Sequence, residues 1–514
     1  MTNPIIIIGA GLAGLSAAYT CAKANCPVQL ISALPSEQAQ SIMAEGGINA
    51  ALNTKGEDDS PEEHYADTMH AGCDLADPNA VWNLTQAAPS LVRQLQSLGV
   101  PFNQTIDGDI DVRHFGGQKK RRTAFVQSDT GKQLVTALSD AVRFFEAKGL
   151  IHRLPHHLFQ TLLLQGKTCT GVRVQNTFTG ESLDLQGTGV IIATGGLHGL
   201  FQKTTGSLMN TGAVTAELFR LGLPLANLEF IQYHPTTIQA NGKYMLISEA
   251  ARGEGGRLYV LRNGEPWYFM EEKYPALGNL MPRDITAREI AARITEGQTV
   301  YLDMSHLSHH VLTDNLAGLV RDCALYAGLD ITKAPLPVEP GIHYFMGGIA
   351  VDERHRTAFS HLYAAGECAA QYHGANRLGG NSLLGAIYGG QIAAETALAG
   401  QTDTLPKGSA NPVPKPIDTD HWQGLRQTMD DAMGIIRDES SLTKGLEHLS
   451  SYDDTLSLLG KAMIHSALAR TESRGAHWRR DYPQRDDVHF KQTTLATYDG
   501  HTIHISFHPI PKKR

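Results

Sequence analysis

The sequence has few cysteines, no long apolar run and little excess charge. Its six cysteines form no Cys-x-x-Cys pair, so neither a disulfide framework nor an iron–sulfur cluster is expected within this chain. No segment reaches the roughly 18 to 20 consecutive apolar residues of a membrane span. Residues 4–10 run into glycines without a basic leader, which argues against a signal peptide. We therefore expect a cytoplasmic protein with reduced thiols, which would reach a membrane only through a partner.

The net charge of -8 gives no general reason to expect nucleic acid as a partner. The basic run Lys119 to Arg122 has no interleaved aromatic residues, and we expect it to lie on a solvated face. An anionic substrate would have to be bound by individually placed arginines and histidines. At 514 residues, with 42% hydrophobic and 19% charged residues, the chain is expected to fold into two to four globular domains.

The N-terminus carries a nucleotide-binding pattern. Residues 5–14 form an apolar strand that runs into Gly-x-Gly-x-x-Gly, followed by a stretch compatible with a helix. Gly9 allows the tight turn, Gly11 lets the backbone approach a pyrophosphate, and Gly14 lets helix and strand pack closely. The second strand departs from the pattern, because it ends in Ser32 where an acidic residue would bind the ribose. The sequence thus predicts a dinucleotide site whose ribose contact is unassigned.

Later segments indicate how the rest of the chain is organised. The apolar stretches 190–196 and 362–368 are predicted to return the chain to the nucleotide site. The segment from about 231 to 340 is predicted to be a domain inserted between two parts of the nucleotide-binding domain. Residues 67–72 and 112–125 are expected to be polar loops that line a site. Residues 400–416 read as a linker. Helical spacing follows in 420–475, and 490–508 alternates as edge strands would.

Several groups suited to acid–base chemistry occur in or next to the insertion. Pro282 predicts that Arg283 lies in the first turn of a helix over 284–294, where the helix dipole disfavours another positive charge. Glu249 and Arg252 are three residues apart and would share one helical face, either as a proton relay or as a plain salt bridge. Arg377 suits a bidentate grip on a carboxylate.

Together these motifs resemble the flavoprotein subunit of fumarate reductase and succinate dehydrogenase, and its close relative L-aspartate oxidase. The resemblance covers residues 5–486. Its most specific motifs are Ala44-Glu-Gly-Gly47, Arg113-His-Phe-Gly-Gly117, His234-Pro-Thr236, Glu249-Ala-Ala-Arg-Gly-Glu-Gly-Gly256, Pro282-Arg-Asp284, His343-Tyr-Phe-Met-Gly-Gly348, His373-Gly-Ala-Asn-Arg377, Asn381-Ser-Leu-Leu384 and Glu472-Ser-Arg-Gly-Ala-His477.

The resemblance implies an α/β fold: a Rossmann-like FAD-binding domain in two parts, 1–230 and 341–400, an inserted α+β capping domain over 231–340, and a C-terminal helical domain over 417–514. It implies hydride transfer between flavin N5 and a four-carbon dicarboxylate, with Arg283 as proton donor and Glu249 and Arg252 as its relay. The residues implied to bind substrate carboxylates are His234, Ser248, His343 and Arg377. Those implied to contact FAD are Gly9, Gly11, Gly14, Gly46, Gly47, Glu367, Ser382 and Leu383, to which we add Ser32 as a candidate from the second strand.

Two positions depart from parts of the family. Gln40 occupies the place of the histidine that links covalently to the flavin in membrane-bound members, so we expect noncovalent FAD and, with it, a bias towards fumarate reduction. Phe115 stands where L-aspartate oxidase has a glutamate that meets the substrate ammonium, and we count it among the substrate-binding residues. The resemblance leaves two alternatives open: L-aspartate oxidase and a non-catalytic flavin electron-transfer module. A respiratory role would require a separate iron–sulfur subunit, through which the chain would attach to the inner face of a membrane.

Overall fold

The computed structural model describes residues 3–401, 408–415 and 417–514. The elements before residue 231 are β1 (Ile5–Ile8), α1 (Leu12–Lys23), β2 (Val28–Ile31), β3 (Ile48–Asn49), α2 (Pro61–Ala71), α3 (Pro78–Ser97), β4 (Val112–Arg113), β5 (Thr123–Ala124), α4 (Thr130–Ala147), β6 (Ile151–Leu154), β7 (His157–Gln165), β8 (Thr168–Asn176), β9 (Ser182–Gln186), β10 (Gly189–Ile192), α5 (Ala213–Arg220) and β11 (Leu225–Ala226).

The middle of the chain contains β12 (Ile231–Ala240), β13 (Lys243–Leu246), α6 (Glu249–Gly253), β14 (Arg257–Arg262), β15 (Glu265–Trp267), α7 (Phe269–Lys273), α8 (Arg283–Thr295), β16 (Tyr301–Asp303), α9 (Ala317–Asp322), β17 (Leu336–Pro337), β18 (Glu339–Phe345), β19 (Gly348–Ala350), β20 (Leu362–Ala364), β21 (Ala369–Ala370) and α10 (Asn381–Ala399). The C-terminal part contains β22 (Ser409–Ala410), α11 (Thr419–Ala432), α12 (Glu439–Ser450), α13 (Thr455–Ala469), α14 (Asp487–Phe490), β23 (Gln492–Tyr498) and β24 (Ile503–Pro509).

A parallel sheet in the order β20-β10-β1-β2-β6 forms the centre of the nucleotide-binding domain. All four isoleucines of β1 are buried. Because neighbouring side chains on a strand face opposite sides, Ile5 and Ile7 pack in the core that contains α1 and α10, whereas Ile6 and Ile8 pack in a second core. The predicted return of residues 190–196 and 362–368 to this sheet, as β10 and β20, is confirmed.

The inserted segment has a hydrophobic core of its own, formed by residues between Ile238 and Val338. Its connection to the rest of the chain runs through the antiparallel sheet β13-β12-β18, because β12 and β18 are the strands by which the chain enters and leaves the insertion. Helix α8 packs against both strands. The first residues of α8 therefore lie at the seam between the insertion and the nucleotide-binding domain.

Beyond residue 417 the chain forms the expected helices α11, α12 and α13, which share the second core with the parallel sheet. The predicted edge strands are also present: β23 and β24 form a hairpin that pairs with β11. Of the predicted linker, residues 402–407 and 416 lie outside the described residues. Within it Ser409 and Ala410 form β22, which pairs with Leu163 and Leu164 of β7.

Two sequence-based expectations are wrong. Residues 67–71 are not a loop but belong to α2, which begins at Pro61 after Ser60 accepts a hydrogen bond from the Glu63 amide. In the basic run, Lys119 and Arg121 are exposed as expected, but Arg122 does not lie on the solvated face. Its guanidinium is fully buried, 2.8 Å from Asp59 Oδ1 and 2.9 Å from Asp67 Oδ2. A buried arginine needs such compensating carboxylates, and both lie far upstream of the basic run in the sequence.

None of the helices in the described parts of the chain has the length and apolar content needed to cross a membrane. All six cysteines lie in described segments and are free thiols, five of them buried. Within the same segments, no group of three or more His, Cys, Asp or Glu side chains is arranged to bind a metal ion.

Candidate active site

One cavity of about 330 Å³ extends from the first glycine turn to the start of α8. It lies between the carboxyl ends of the parallel strands and the inserted segment, where ligand sites of such folds are expected. The sequence-predicted residues that line it are Gly9, Gly11, Ser32, Gln40, Gly46, Gly47, Phe115, His234, Ser248, Glu249, Arg283, His343, Glu367, Arg377, Ser382 and Leu383. Gly14 and Arg252 are not among the lining residues. The cavity therefore brings together candidates that lie as much as 374 residues apart in sequence.

The nucleotide end of the cavity is shaped by backbone that leaves no room for side chains. A Cβ on Gly9, whose φ is +113°, would lie 2.1 Å from the Ala193 carbonyl oxygen, and one on Gly14 would lie 1.8 Å from the Gly9 carbonyl oxygen. Gly14 thus acts in helix–strand packing, as the pattern predicts. Ser32 follows β2, and its amide donates to the Leu154 carbonyl at 3.1 Å.

Two helices begin at this cavity. Leu12 and Ala13 of α1 line it, as do Ser382 and Leu383 of α10. Because a helix N-terminus carries partial positive charge and free N–H groups, both starts favour an anionic ligand. The close-packed glycines Gly9 and Gly11 and the starts of α1 and α10 would hold the anionic part of a dinucleotide such as FAD.

The glycine pair Gly46–Gly47 is held by Arg113. The Arg113 guanidinium donates to the Gly46 carbonyl at 2.5 and 3.0 Å and to the Glu45 carbonyl at 3.0 Å. The Phe115 ring packs on the same pair, since a Cβ on Gly46 would lie 2.8 Å from it. Burial lowers the pKa of Arg113 to about 10 and raises that of the Glu45 carboxyl to about 8.

Arg283 is the first residue of α8 and is buried. Its Nη2 and Nε donate to Glu249 Oε2 at 2.6 and 2.9 Å, and its Nη1 donates to Gln232 Oε1 at 3.2 Å. The other oxygen of Glu249, Oε1, accepts from Arg252 Nη2 at 3.3 Å. The predicted position of Arg283 in a first helical turn is confirmed, and the three candidate relay side chains form one continuous buried line.

Glu249 and Arg252 lie on the one-turn helix α6, which Ser248 caps by accepting from the Ala250 amide at 3.4 Å. Burial raises the pKa of the Glu249 carboxyl, but the adjacent Arg283 and Arg252 guanidinium groups outweigh that effect, so the pKa lies below its usual value. Burial lowers the pKa of Arg252. Glu249 is therefore an anion held between two arginines.

His234 and His343 face each other, with ring centroids 5.2 Å apart. His343 Nδ1 lies 2.9 Å from Thr205 Oγ1, and His234 Nδ1 lies 3.0 Å from the Thr236 carbonyl oxygen and 3.3 Å from its amide nitrogen. Burial, followed by the positive charge of Arg283, holds the pKa of both histidines well below the ordinary range. Both rings are neutral at pH 7.

Arg377 lies with its guanidinium 4.3 Å from the centre of the Tyr344 ring. Burial and the neighbouring Arg283 lower the pKa of Arg377 to about 9. Among the described atoms, Arg377 Nε and His234 Nε2 are buried without a hydrogen-bond partner. Since buried polar groups are normally satisfied, these two atoms indicate a ligand that carries acceptor oxygens.

Sequence reasoning missed Gln232. Its Nε2 donates to the Arg377 carbonyl and to Asn376 Oδ1, both at 2.8 Å, while its Oε1 accepts from Arg283. Gln232 therefore joins the two candidate arginines. It lies two residues before His234 on β12, and this spacing places residues on one face of a strand, which is the signal that could have found it.

Comparisons with known proteins place the chain among flavoproteins. Residues 4–383 match the family described as FAD binding domain, and residues 452–514 match that described as fumarate reductase flavoprotein C-term. The chain is 37% identical to the succinate dehydrogenase flavoprotein subunit of Bacillus subtilis, over 96% of this chain and 94% of the relative. It is 36% identical to the L-aspartate oxidase of Caulobacter vibrioides, over 96% of each. A solved variant of E. coli quinol fumarate reductase FrdA superposes with a TM-score of 0.88 at 29% identity, covering 99% of this chain and 97% of that one.

Proposed function

The chain belongs to the flavoprotein family of succinate dehydrogenase and fumarate reductase, and we propose that it interconverts fumarate and succinate at the cavity between its insertion and its nucleotide-binding domain. It is an FAD-dependent oxidoreductase. The observation that carries the proposal is the hydrogen bond between Arg283 and Glu249 beside Arg377 and the two neutral histidines.

The charges around the cavity favour an anionic substrate. The guanidinium groups of Arg283, Arg252 and Arg377 outnumber the carboxylates of Glu249 and Glu367, so positive charge is left for substrate carboxylates to neutralise. The unpartnered nitrogens of Arg377 and His234 offer donors for its oxygens. We assign the substrate carboxylates to four side chains that line this part of the cavity: His234, Ser248, His343 and Arg377.

Reduction of fumarate adds a hydride to one alkene carbon and a proton to the other. FAD, when bound, supplies the hydride. Arg377 and the histidines hold the carboxylates and stabilise the charge that develops on one of them, while Arg283 donates the proton to carbon. After Arg283 has given up its proton, Glu249 is placed to take a proton from Arg252, which donates to its Oε1, and to pass it to Arg283 on the other side of the carboxylate. Arg252 then has to be reprotonated from outside this line. Oxidation of succinate reverses each transfer.

We propose that FAD is bound noncovalently. Gln40 lines the cavity at the position of the flavin-linking histidine, and a carboxamide does not form the bond that a histidine ring nitrogen forms there. The absence of the link favours fumarate reduction, as the family resemblance implies.

L-aspartate oxidase is the second candidate function, and the 36% identity to the Caulobacter enzyme over nearly the whole chain supports it. Phe115 argues against the oxidase function. The side chain is 2% exposed and packs on Gly46, so an apolar ring lines the cavity where an ammonium would need a carboxylate. We propose that Phe115 makes the site a dicarboxylate site without an amino-group pocket.

The electron donor is expected to be a partner. The similar E. coli protein is a quinol fumarate reductase, and the cysteines of this chain are dispersed. We therefore propose a separate iron–sulfur subunit that passes electrons to FAD and places the flavoprotein at the inner face of a membrane.

Three assays on the purified protein test the function. Fumarate is supplied with a reduced dye, succinate with an oxidised dye, and L-aspartate with fumarate as acceptor. We expect turnover of fumarate, slower turnover of succinate and none of L-aspartate. Turnover of L-aspartate at a rate equal to that of fumarate would favour the oxidase function.

A further inference from the structure

The loop of residues 203–207 connects the flavin side of the cavity to the substrate side. At its start, the Lys203 carbonyl accepts from the Ile342 amide at 2.8 Å, and the Thr205 amide donates to the Ile342 carbonyl at 2.9 Å. At its end, the Ser207 amide donates to Gln40 Oε1 at 2.6 Å. Gln40 and Ser207 both line the cavity, so this last hydrogen bond joins two segments that are 167 residues apart across its edge.

The same loop holds two candidate site residues. Thr205 Oγ1 lies 2.9 Å from His343 Nδ1. Thr204 Oγ1 lies 2.8 Å from Nδ1 of His198, whose Nε2 is 3.3 Å from Oε1 of the cavity-lining Glu367. Thr205 is thus hydrogen-bonded directly to a substrate-binding candidate, His343. Thr204 is connected to an FAD-binding candidate, Glu367, through the ring of His198.

Close packing fixes the middle of the loop. Gly206 lies flat on the His198 ring, because a Cβ there would come within 2.1 Å of it. His198 in turn lies edge-on to Phe345 of β18. The loop is therefore tied firmly to β18 at residues 203–206, whereas the Ser207 amide depends on the side chain of Gln40.

We propose that Gln40 is a positioning residue that clasps the 203–207 loop over the flavin cavity through the Ser207 amide, at the position where the membrane-bound family members have a flavin-linking histidine. The clasp holds FAD by closing the cavity edge, and through Thr205 it also orients His343. The effect on FAD retention rests on the cofactor of the family, and the effect on His343 rests on the proposed function.

The clasp is tested first by FAD retention, which requires no turnover. Gln40→Leu removes the acceptor at similar size, and Gln40→Glu keeps an acceptor for the Ser207 amide. We expect FAD to dissociate about five- to tenfold faster from Gln40→Leu, measured as the rise in fluorescence of released flavin, with most of the loss restored in Gln40→Glu. Glu37→Gln, in the same segment but outside the cavity lining, is the control and should match the original protein.

Removing the Ser207 N–H shows whether Gln40 acts through its hydrogen bond with Ser207 or through a direct contact with FAD. Ser207→Pro lacks the N–H. If the clasp operates, Ser207→Pro and Gln40→Leu each speed FAD release and their combination is no worse than either alone. If the two effects multiply, or if Gln40→Leu retains FAD as the original protein does, the clasp is excluded.

The coupling to His343 is tested by Thr205→Val, which leaves the bond between Gln40 and Ser207 in place. We expect a several-fold higher KM for fumarate with kcat and FAD dissociation little changed, whereas Gln40→Leu should raise both KM and the FAD dissociation rate. An unchanged KM for fumarate in both variants would show that the loop does not orient His343. If the protein turns over no dicarboxylate but Gln40→Leu still loosens FAD, the clasp stands and only the proposed function fails.

Discussion

A single carboxylate oxygen of Glu249, Oε2, accepts hydrogen bonds from both Nε and Nη2 of Arg283, at 2.9 and 2.6 Å. The two side chains come from different helices, α6 and α8, and both are buried. The hydrogen bonds place an anion against the group assigned as proton donor, and Arg283 is close enough to His234 and His343 for its charge to lower the pKa of both.

Replacing Glu249 by glutamine should separate proton supply from substrate binding. Glutamine keeps the size of the side chain but cannot return a proton to Arg283, so we expect kcat for fumarate reduction to fall about 10²- to 10⁴-fold. Binding of a non-reacting dicarboxylate, followed by the flavin absorbance, should weaken far less. Glu254→Gln, a matched loss of one carboxylate next to α6, should stay near the original rate. A Glu249→Gln enzyme of normal rate would exclude the relay.

The buried histidines make stability depend on pH in a defined direction. Because the pKa of His234 and His343 in the folded protein lies below the unfolded value of about 6.5, the unfolded chain takes up protons first as the pH falls. The contribution of each histidine to the free energy of unfolding is therefore greatest above about pH 6.5. It is lost as the pH falls from that value through the lower pKa of the folded protein. We expect His234→Gln to show a smaller drop in unfolding midpoint between pH 7.5 and pH 5.5. An equal drop in both proteins would show that His234 titrates normally.

Phe115 should set the choice between dicarboxylate and amino acid. Phe115→Glu introduces an anion beside the glycine pair, so we expect the KM for fumarate to rise at least tenfold and L-aspartate oxidation to become measurable. Phe115→Gln introduces a side chain with the shape of glutamate but without its charge. This variant should raise the KM for fumarate less and gain no activity on L-aspartate. If both variants behave alike, shape rather than charge decides the specificity.

FAD should leave the protein completely on denaturation. Acid precipitation of the purified protein is expected to give a colourless pellet and a yellow supernatant, because Gln40 cannot form the covalent link. Flavin fluorescence of the washed and redissolved pellet measures any residue. Colour that remains in the pellet would place the link on another residue.

Local patterns were the most predictable part of this protein. The apolar strand and glycines at residues 5–14 specify the nucleotide turn. Pro282 indicates a helix start, and in the structure it is the N-cap residue directly before Arg283. Such features depend on residues that are close in sequence.

Contacts between distant segments were not predictable in the same way. The partners of Arg122 are Asp59 and Asp67, and the partner of Gln40 is the amide of Ser207. Nothing in the local sequence of either side chain indicates these pairings, because they form only when the parallel sheet and the loops after its strands are assembled. For the same reason the family motifs located the candidate residues but gave no indication that Gln232 joins two of them.

Delivery of the proton by Arg283 is tested most directly by the reduction of fumarate with a reduced dye. Arg283→Ala and Arg283→Lys are compared with Arg293→Ala, which changes an arginine on the same helix outside the cavity. We expect both Arg283 variants to retain FAD and to lose at least 10³-fold in kcat, with Arg283→Lys retaining more activity than Arg283→Ala, while Arg293→Ala remains near the original rate. An Arg283→Ala protein that holds FAD and reduces fumarate within tenfold of the original kcat would contradict it.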